Sequence, residues 1–191
     1  MKMGKRCSNR AYGVIPVLAA FLMLSFAAPA ALHAATAKEI DVSVDVAMEN
    51  FMKDVKGAKE FLQASKAVLV FPKVYKAGFI IGGEYGEGAL RIGGKTADYY
   101  DIAAGSFGYQ LGAQAKTVIL VFLQDEALKK FRESPGWKAG VDGSVALVDV
   151  GVGQAIDSAT FKQPIIGFVI GQKGLMFNLT LEGTKITKIA K

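Results

Sequence analysis

The sequence predicts an α+β domain: a strongly curved, mostly antiparallel β-sheet or barrel-like body, with an N-terminal amphipathic helix and one further helix. Before residue 66, apolar residues recur at three- and four-residue steps, which is typical of a helix that packs by one face. From residue 67 onward, short segments of strand-forming residues follow one another. Ten glycines between Gly78 and Gly112 interrupt these segments. Because glycine inside a strand marks a bulge, a sharp bend or a close backbone approach, the sheet is expected to curve.

The amphipathic helix is predicted over residues 38–66. Its apolar stripe consists of Val44, Met48, Phe51, Val55, Ala58 and Leu62. Charged and polar residues such as Asp45, Glu49 and Lys53 occupy the opposite side. Gly57 is expected to weaken the helix by about 1 kcal/mol relative to alanine without breaking it. Such a stripe is compatible with packing on the body of the domain and with insertion into a membrane, and the two states could interconvert.

The sheet is predicted from ten strand-like segments. They are residues 67–71, 78–82, 85–92, 97–104, 106–115, 117–123, 143–149, 165–170, 175–181 and 184–189. The continuous apolar run at 117–123 indicates a strand buried on both faces. Asp125 is a plausible N-cap for the further helix, with Leu128 and Phe131 facing inward and Pro135-Gly136 ending it. Residues 151–164 are expected to form an irregular connection.

The first 37 residues have the pattern of a secretory signal peptide. Basic residues precede an apolar stretch from Val14 to Ala28, and small residues follow up to Ala37. Cleavage is expected after about Ala34 or Ala37. An uncleaved anchor is the alternative, but the apolar stretch is short for a spanning helix. We therefore expect a single exported domain over residues 38–191, periplasmic or peripheral on an envelope membrane.

Composition excludes several classes of chemistry for the exported part. The whole chain has a net charge of +6, and removing the four basic residues of the signal peptide leaves +2, so nucleic acid is not an expected partner. His33 and Cys7 are the only histidine and cysteine, and both lie in the signal peptide. Without histidine and cysteine, the exported part can form no Ser-His-Asp triad, no thiol nucleophile and no zinc site built from imidazole or thiolate ligands. The glycines of 82–88 lead into a strand rather than a helix, unlike a nucleotide-binding loop. We expect no enzyme, no cofactor and no metal.

A cluster of lysines supplies the candidate binding site. Residues 53–76 have a net charge of +4, with the lysines Lys53, Lys56, Lys59, Lys66, Lys73 and Lys76. Lysines near an anionic bilayer contribute about 1 kcal/mol each, so this cluster could recruit the protein to lipid. Phe51 and Tyr75 are the aromatic residues predicted to contact lipid with it. A solvated face of the domain is the alternative.

Five motifs in order resemble the SYLF-domain family. They are Ala67–Lys73, Ala77-Gly78-Phe79, the glycines of 82–88, Phe107–Ala113 and Gly140–Ala146, followed by Phe168–Leu175 as a late strand–turn–strand. The resemblance implies phospholipid binding through an amphipathic N-terminal segment and nearby basic residues, with phosphoinositide-type head groups in eukaryotic members. Some eukaryotic members also bind actin. Here 98–102 and 149–153 depart from the eukaryotic pattern, so actin is not expected.

The sequence therefore predicts peripheral binding of anionic phospholipid in the bacterial envelope. Two alternatives stay open. The first is a carrier that encloses an acyl chain or another apolar ligand within the curved sheet, lined by Phe79, Tyr99, Phe107 and Tyr109. The second is a structural partner of another envelope protein, for which an exposed apolar patch away from the lysines would be the sign.

Overall fold

A computed structural model of the chain describes residues 35–78, 81–107, 114–149, 160–171, 181 and 183–191. The predicted signal peptide lies almost entirely outside these residues, as do the predicted strand at 175–181, except Leu181, and most of the connection at 151–164. Residues Ala35–Lys191 form one compact unit with its own cores. No helix within the described residues is long and apolar enough to span a bilayer.

Among the described residues, eight strands form one curved sheet, as predicted for an α+β fold. The strands are β1 (Ala67–Gly78), β2 (Ile81–Ile92), β3 (Lys95–Phe107), β4 (Gln114–Phe122), β5 (Trp137–Lys138), β6 (Ala146–Asp149), β7 (Ile165–Gly171) and β8 (Lys185–Ile189). Their order across the sheet is β5-β8-β3-β2-β1-β4-β7-β6. Every neighbouring pair is antiparallel except β6 and β7, which run parallel.

The glycines of β2 allow a close approach to β1, as the sequence predicted. The register between these strands shifts between Val70 and Lys73, which marks a β-bulge. A β-carbon at Gly86 would lie 2.6 Å from the backbone oxygen of Lys73. One at Gly88 would lie 2.1 Å from the backbone oxygen of Val70. Since real β-carbons do not come so close to backbone, only glycine fits beside the bulge.

The N-terminal helix is divided in two, so the prediction of one helix over 38–66 is wrong. Helix α1 spans Ala37–Asp54 and helix α2 spans Ala58–Ala64. Val55 adopts an extended conformation and Gly57 has a φ of +86°, in the left-handed region that glycine favours. Gly57 therefore redirects the chain instead of weakening one continuous helix. The third helix, α3, spans Asp125–Glu133 close to its predicted position, but its N-cap is Gln124 and the predicted cap, Asp125, is the first residue of the helix.

The sheet is buried on both faces by two separate cores. On one face, α1 and α2 pack against strands β1, β4 and β7, with Val44, Phe51 and Phe61 buried there. On the other face, Phe131 of α3 and Trp137 of β5 pack against Phe71, Leu120 and Phe122. Residues 118–122 of β4 are fully buried, which confirms the strand predicted from the continuous apolar run.

Candidate functional site

Polar contacts hold the first half of α1 on the sheet. The Arg91 guanidinium of β2 lies 2.7 Å from the Asp45 carboxylate and 3.4 Å from that of Asp41. The hydroxyl groups of Thr96 and Tyr99 donate hydrogen bonds to Asp41 at 2.7 and 2.9 Å. Burial, with the added effect of Asp41, raises the pKa of Tyr99 above its ordinary value. Asp41 and Asp45 of α1 therefore both contact the sheet.

Three of the predicted lysines lie together where α1 gives way to α2. Lys53, Lys56 and Lys59 are exposed around the helix break. Among the residues that the structure describes, no carboxylate lies within 4.0 Å of their amino groups. Met52 is 40% exposed beside them. We call these four residues the lysine corner.

The other three predicted lysines lie elsewhere, because β1 carries them away from the helices. Lys66 precedes β1, and its amino group lies 3.3 Å from the Asp125 carboxylate at the start of α3. At about 3.3 Å per residue, Lys73 is roughly 20 Å farther along the strand. Lys76 faces the opposite side of the sheet from Lys73, since they are three residues apart beyond the bulge. The six lysines do not form one patch.

Lys76 belongs to a small ion cluster with residues of both neighbouring strands, β2 and β4. Its amino group lies 3.8 Å from one oxygen of the Glu84 carboxylate. The other oxygen of that carboxylate lies 2.6 Å from the amino group of Lys116. The side chain of Lys116 is only 8% exposed. Because Glu84 draws Lys76 towards the sheet, this lysine is less available to a lipid surface than the lysine corner.

The two predicted aromatic residues have opposite environments. Phe51 is fully buried, and its ring meets that of Phe168 edge-on with centroids 4.8 Å apart. It can reach lipid only if α1 leaves the sheet. Tyr75 is 55% exposed and lies directly opposite Tyr85 on β2, which is 47% exposed. We call these two residues the tyrosine pair.

Tyr85 was not among the predicted contact residues, although its pairing with Tyr75 across β1 and β2 makes it one. Gly78 of β1 pairs with Gly82 of β2, and the same register continues to Tyr75 and Tyr85. The Tyr85 hydroxyl donates a hydrogen bond to Glu87 at 3.1 Å. Burial and the nearby Glu87 carboxylate raise the pKa of Tyr85 to about 12. Interfacial tyrosines of this kind are common where proteins contact membranes.

Of the four residues proposed to line a carrier cavity, only Tyr99 has a described side chain. Phe79 and Tyr109 lie outside the described residues, and the Phe107 side chain is not described. The Tyr99 hydroxyl binds Asp41 under α1. On the other face of the sheet, the rings of Tyr100, Phe122 and Trp137 lie 5.0–5.6 Å from Phe131. Aromatic packing fills this face among the described residues, and none of these observations favours the carrier.

Comparison with protein families gives a match to the C-terminal part of the chain. Residues 103–190 match the Ysc84 family model, which is described as Las17-binding protein actin regulator. The matched part begins in β3 and extends beyond the end of β8. The family, defined by the SYLF domain, is associated with lipid binding and with actin regulation. A search of curated proteins finds no relative that matches the chain.

Proposed function

We propose that the chain, a member of the SYLF-domain family, binds anionic phospholipid membranes peripherally after export to the bacterial envelope. The observation that carries the proposal is the lysine corner: Lys53, Lys56 and Lys59 are exposed together without a described acidic partner. The family's association with lipid binding supports the same partner. The proposed head groups are those of anionic phospholipids in general, with phosphoinositides suggested only by the eukaryotic members.

The charge of the lysine corner sets the expected strength of binding. Residues 53–59 contain three lysines and one acidic residue, Asp54, so their net charge is +2. At about 1 kcal/mol for each charge near an anionic surface, the net attraction is about 2 kcal/mol. That corresponds to roughly a 30-fold preference for anionic over neutral lipid. Since these charges are exposed, the preference should fall as salt shortens the screening length to about 10 Å at 0.1 M.

Exposed apolar side chains extend the proposed surface along α1. Val42 and Val46 are 56% and 53% exposed, and their spacing of four residues places them on one outward-facing side of the helix. Together with Met52 they could enter the head-group region while the buried stripe stays on the sheet. Shallow insertion of a few apolar side chains adds to electrostatic attraction at membrane surfaces.

Charge reversal tests the proposed site. The triple variant Lys53→Glu, Lys56→Glu and Lys59→Glu should lose at least tenfold in affinity for vesicles that contain phosphatidylglycerol, measured by co-sedimentation. The matched control is Lys95→Glu, Lys129→Glu and Lys138→Glu, which changes net charge equally at exposed lysines outside the lysine corner. Equal loss in both variants would show that only total charge matters. Equal binding of the unchanged protein to neutral vesicles would defeat the electrostatic model.

The tyrosine pair offers a second place for contact, either with lipid or with a protein partner. Lys73 is exposed on the same face of β1 as Tyr75, which adds a positive charge beside the rings. Replacing Tyr75 and Tyr85 with serine should leave vesicle binding within about twofold if the lysine corner is the main site. A larger loss than the lysine triple variant causes would move the lipid site to the tyrosine pair.

Actin is not the partner that we propose, although the family's description includes actin regulation. The departures at 98–102 and 149–153 and the expected export motivate this view. The purified protein should stay in the supernatant when actin filaments are sedimented at physiological salt. Saturable recovery in the pellet would overturn this expectation without affecting the lipid proposal.

A further inference from the structure

The beginning of the described chain is held by a partly enclosed ionic contact. The backbone N–H of Ala35 donates a hydrogen bond to the Glu87 carboxylate at 3.1 Å. The amino group of Lys191 lies 3.0 and 3.1 Å from the two oxygens of the same carboxylate, and it donates to the Ala35 carbonyl at 2.8 Å. The side chains of Glu87 and Lys191 are only 12% and 10% exposed. Both polar backbone groups of Ala35 therefore have specific partners, although Ala35 precedes the first helix.

The next residue also takes part in the fold. Thr36 is the N-cap of α1, and its side chain accepts a hydrogen bond from the backbone N–H of Glu39 at 3.3 Å. The Glu39 carboxylate accepts the Thr36 backbone N–H at 2.7 Å, which completes a capping box. Cleavage after Ala37 would remove Ala35 and Thr36 and leave the first turn of α1 without its cap.

We propose that the signal peptide is removed between Ala34 and Ala35, and that Glu87 binds the α-ammonium group thus formed. A signal peptidase would hydrolyse this bond. Water supplies the hydroxyl that becomes part of the Ala34 carboxylate and the hydrogen that goes to the Ala35 nitrogen. At neutral pH the new amine takes up a proton. This inference depends on the export proposed above but not on lipid binding.

The geometry gives the free N-terminus an advantage over the uncleaved chain. The amide of the precursor offers Glu87 one N–H, whereas an ammonium at the same place offers three and a full positive charge. The acceptor is an ionised carboxylate in both forms, so the gain comes from the charge on the donor, which turns a hydrogen bond into an ion pair. The low exposure of Glu87 reduces screening by water. Cleavage thus adds an ion pair that ties the N-terminal end to β2 and Lys191.

The sequence pattern alone does not choose this bond. Ala35-Thr36-Ala37 has the small–any–small arrangement that signal peptidases accept, which would direct cleavage to the bond after Ala37. The contacts of Ala35 and Thr36 favour the earlier bond, because only that cut keeps both residues in the mature protein. The two positions therefore give different masses, and a direct measurement can separate them.

The processing site is tested on the full chain. The 191-residue protein is expressed in a bacterium with a signal peptidase, recovered from the periplasm, and analysed by intact mass and N-terminal sequencing. The expected N-terminus is Ala35. An N-terminus at Lys38, or a retained signal peptide, would overturn the assignment whether or not the protein binds lipid.

Binding of the ammonium group is tested on the compact unit from Ala35 to Lys191. We expect the form with a free N-terminus to unfold about 3–6 °C above the same chain acetylated at Ala35, since acetylation restores the amide of the precursor. The difference should vanish in Glu87→Gln. Equal melting temperatures of the two unchanged forms, or a difference that persists in Glu87→Gln, would refute the proposal. If Glu87→Gln does not fold, Lys191→Gln is tested instead. It should enlarge the difference in melting temperature between the free and acetylated forms, because Glu87 then has one cation fewer. An unchanged or smaller difference would refute the proposal.

Discussion

Replacement of Gly88 by alanine should strongly destabilise the fold, because β2 passes too close to the bulge of β1 for a side chain. The added methyl carbon would lie 2.1 Å from the Val70 oxygen and 2.7 Å from the Phe71 ring. The nearest atom belongs to the backbone, so relief requires the two strands to separate. Overpacking in a core costs about 1–3 kcal/mol, and a forced backbone shift places this variant at about 3 kcal/mol or more. The melting temperature should fall by roughly 6–12 °C for a domain of this size.

A second glycine in the same sheet provides the matched control. Gly105 lies in β3, and a β-carbon there would meet nothing within 4 Å. Gly105→Ala should change stability by less than about 1 kcal/mol, with a small gain from the reduced entropy of the unfolded chain. Thermal and urea unfolding of both variants measures the difference. Equal stabilities would refute the close-approach argument. If Gly88→Ala is not recovered folded, Gly86→Ala, with its contact at 2.6 Å, should still be less stable than Gly105→Ala.

Three further predictions concern pH and the docking of α1. The hydrogen bonds from Thr36 hold the pKa of Glu39 below its ordinary value of 4.5. The capping box therefore stabilises the fold above pH 4.5, and this stabilisation is lost as the pH falls through the lower pKa of the folded state. Thr36→Ala should flatten this part of an acid unfolding curve. Burial raises the pKa of Tyr100 from 10.0 to about 12, so stability should fall between about pH 10 and 12 as the unfolded chain ionises first, and Tyr100→Phe should reduce that fall. A disulfide between Asp41→Cys and Thr96→Cys, whose native side chains meet at 2.7 Å, should leave vesicle binding as strong as in the reduced form.

The overall architecture could be predicted because its signals are local. The apolar stripe of the N-terminal helices is buried or partly buried, and α3 begins within one residue of its predicted start. Strand boundaries were less predictable. The sequence suggested that β1 ends at Phe71, before Pro72. Instead the strand continues to Gly78, with Pro72 at the bulge, and the Thr117 hydroxyl donates a hydrogen bond to the Pro72 carbonyl at 2.9 Å. A proline inside a strand normally interrupts the ladder because it has no N–H to donate, and it is tolerated in β1 because it lies at the bulge.

The candidate site was predictable in composition but not in geometry. Lysine spacing along the chain suggested one cluster. The extended β1 carries Lys73 away from the lysine corner, because a strand rises about 3.3 Å per residue and a helix only about 1.5 Å. Helix propensity predicts only a weak effect of Gly57, because it does not include the tertiary contacts that favour a left-handed turn at this residue. Ala35 and Glu87, which form a hydrogen bond, are 52 residues apart in the chain, and no local sequence pattern predicts a contact over that separation.

The energetics favour a membrane-bound state in which α1 stays on the sheet. If the helix left, its apolar stripe could enter lipid, but the sheet beneath it would face water. That surface includes Val68, Val70, Ile119, Val121 and Phe168, all nearly or fully buried. At about 1.5–3 kcal/mol for each side chain, their exposure would cost roughly 8–15 kcal/mol. The lysine corner contributes only about 2 kcal/mol to binding. The outer side chains of α1 and the lysine corner are therefore the parts expected to contact lipid. If the oxidised 41–96 disulfide variant lost vesicle binding and regained it on reduction, this reasoning would be wrong.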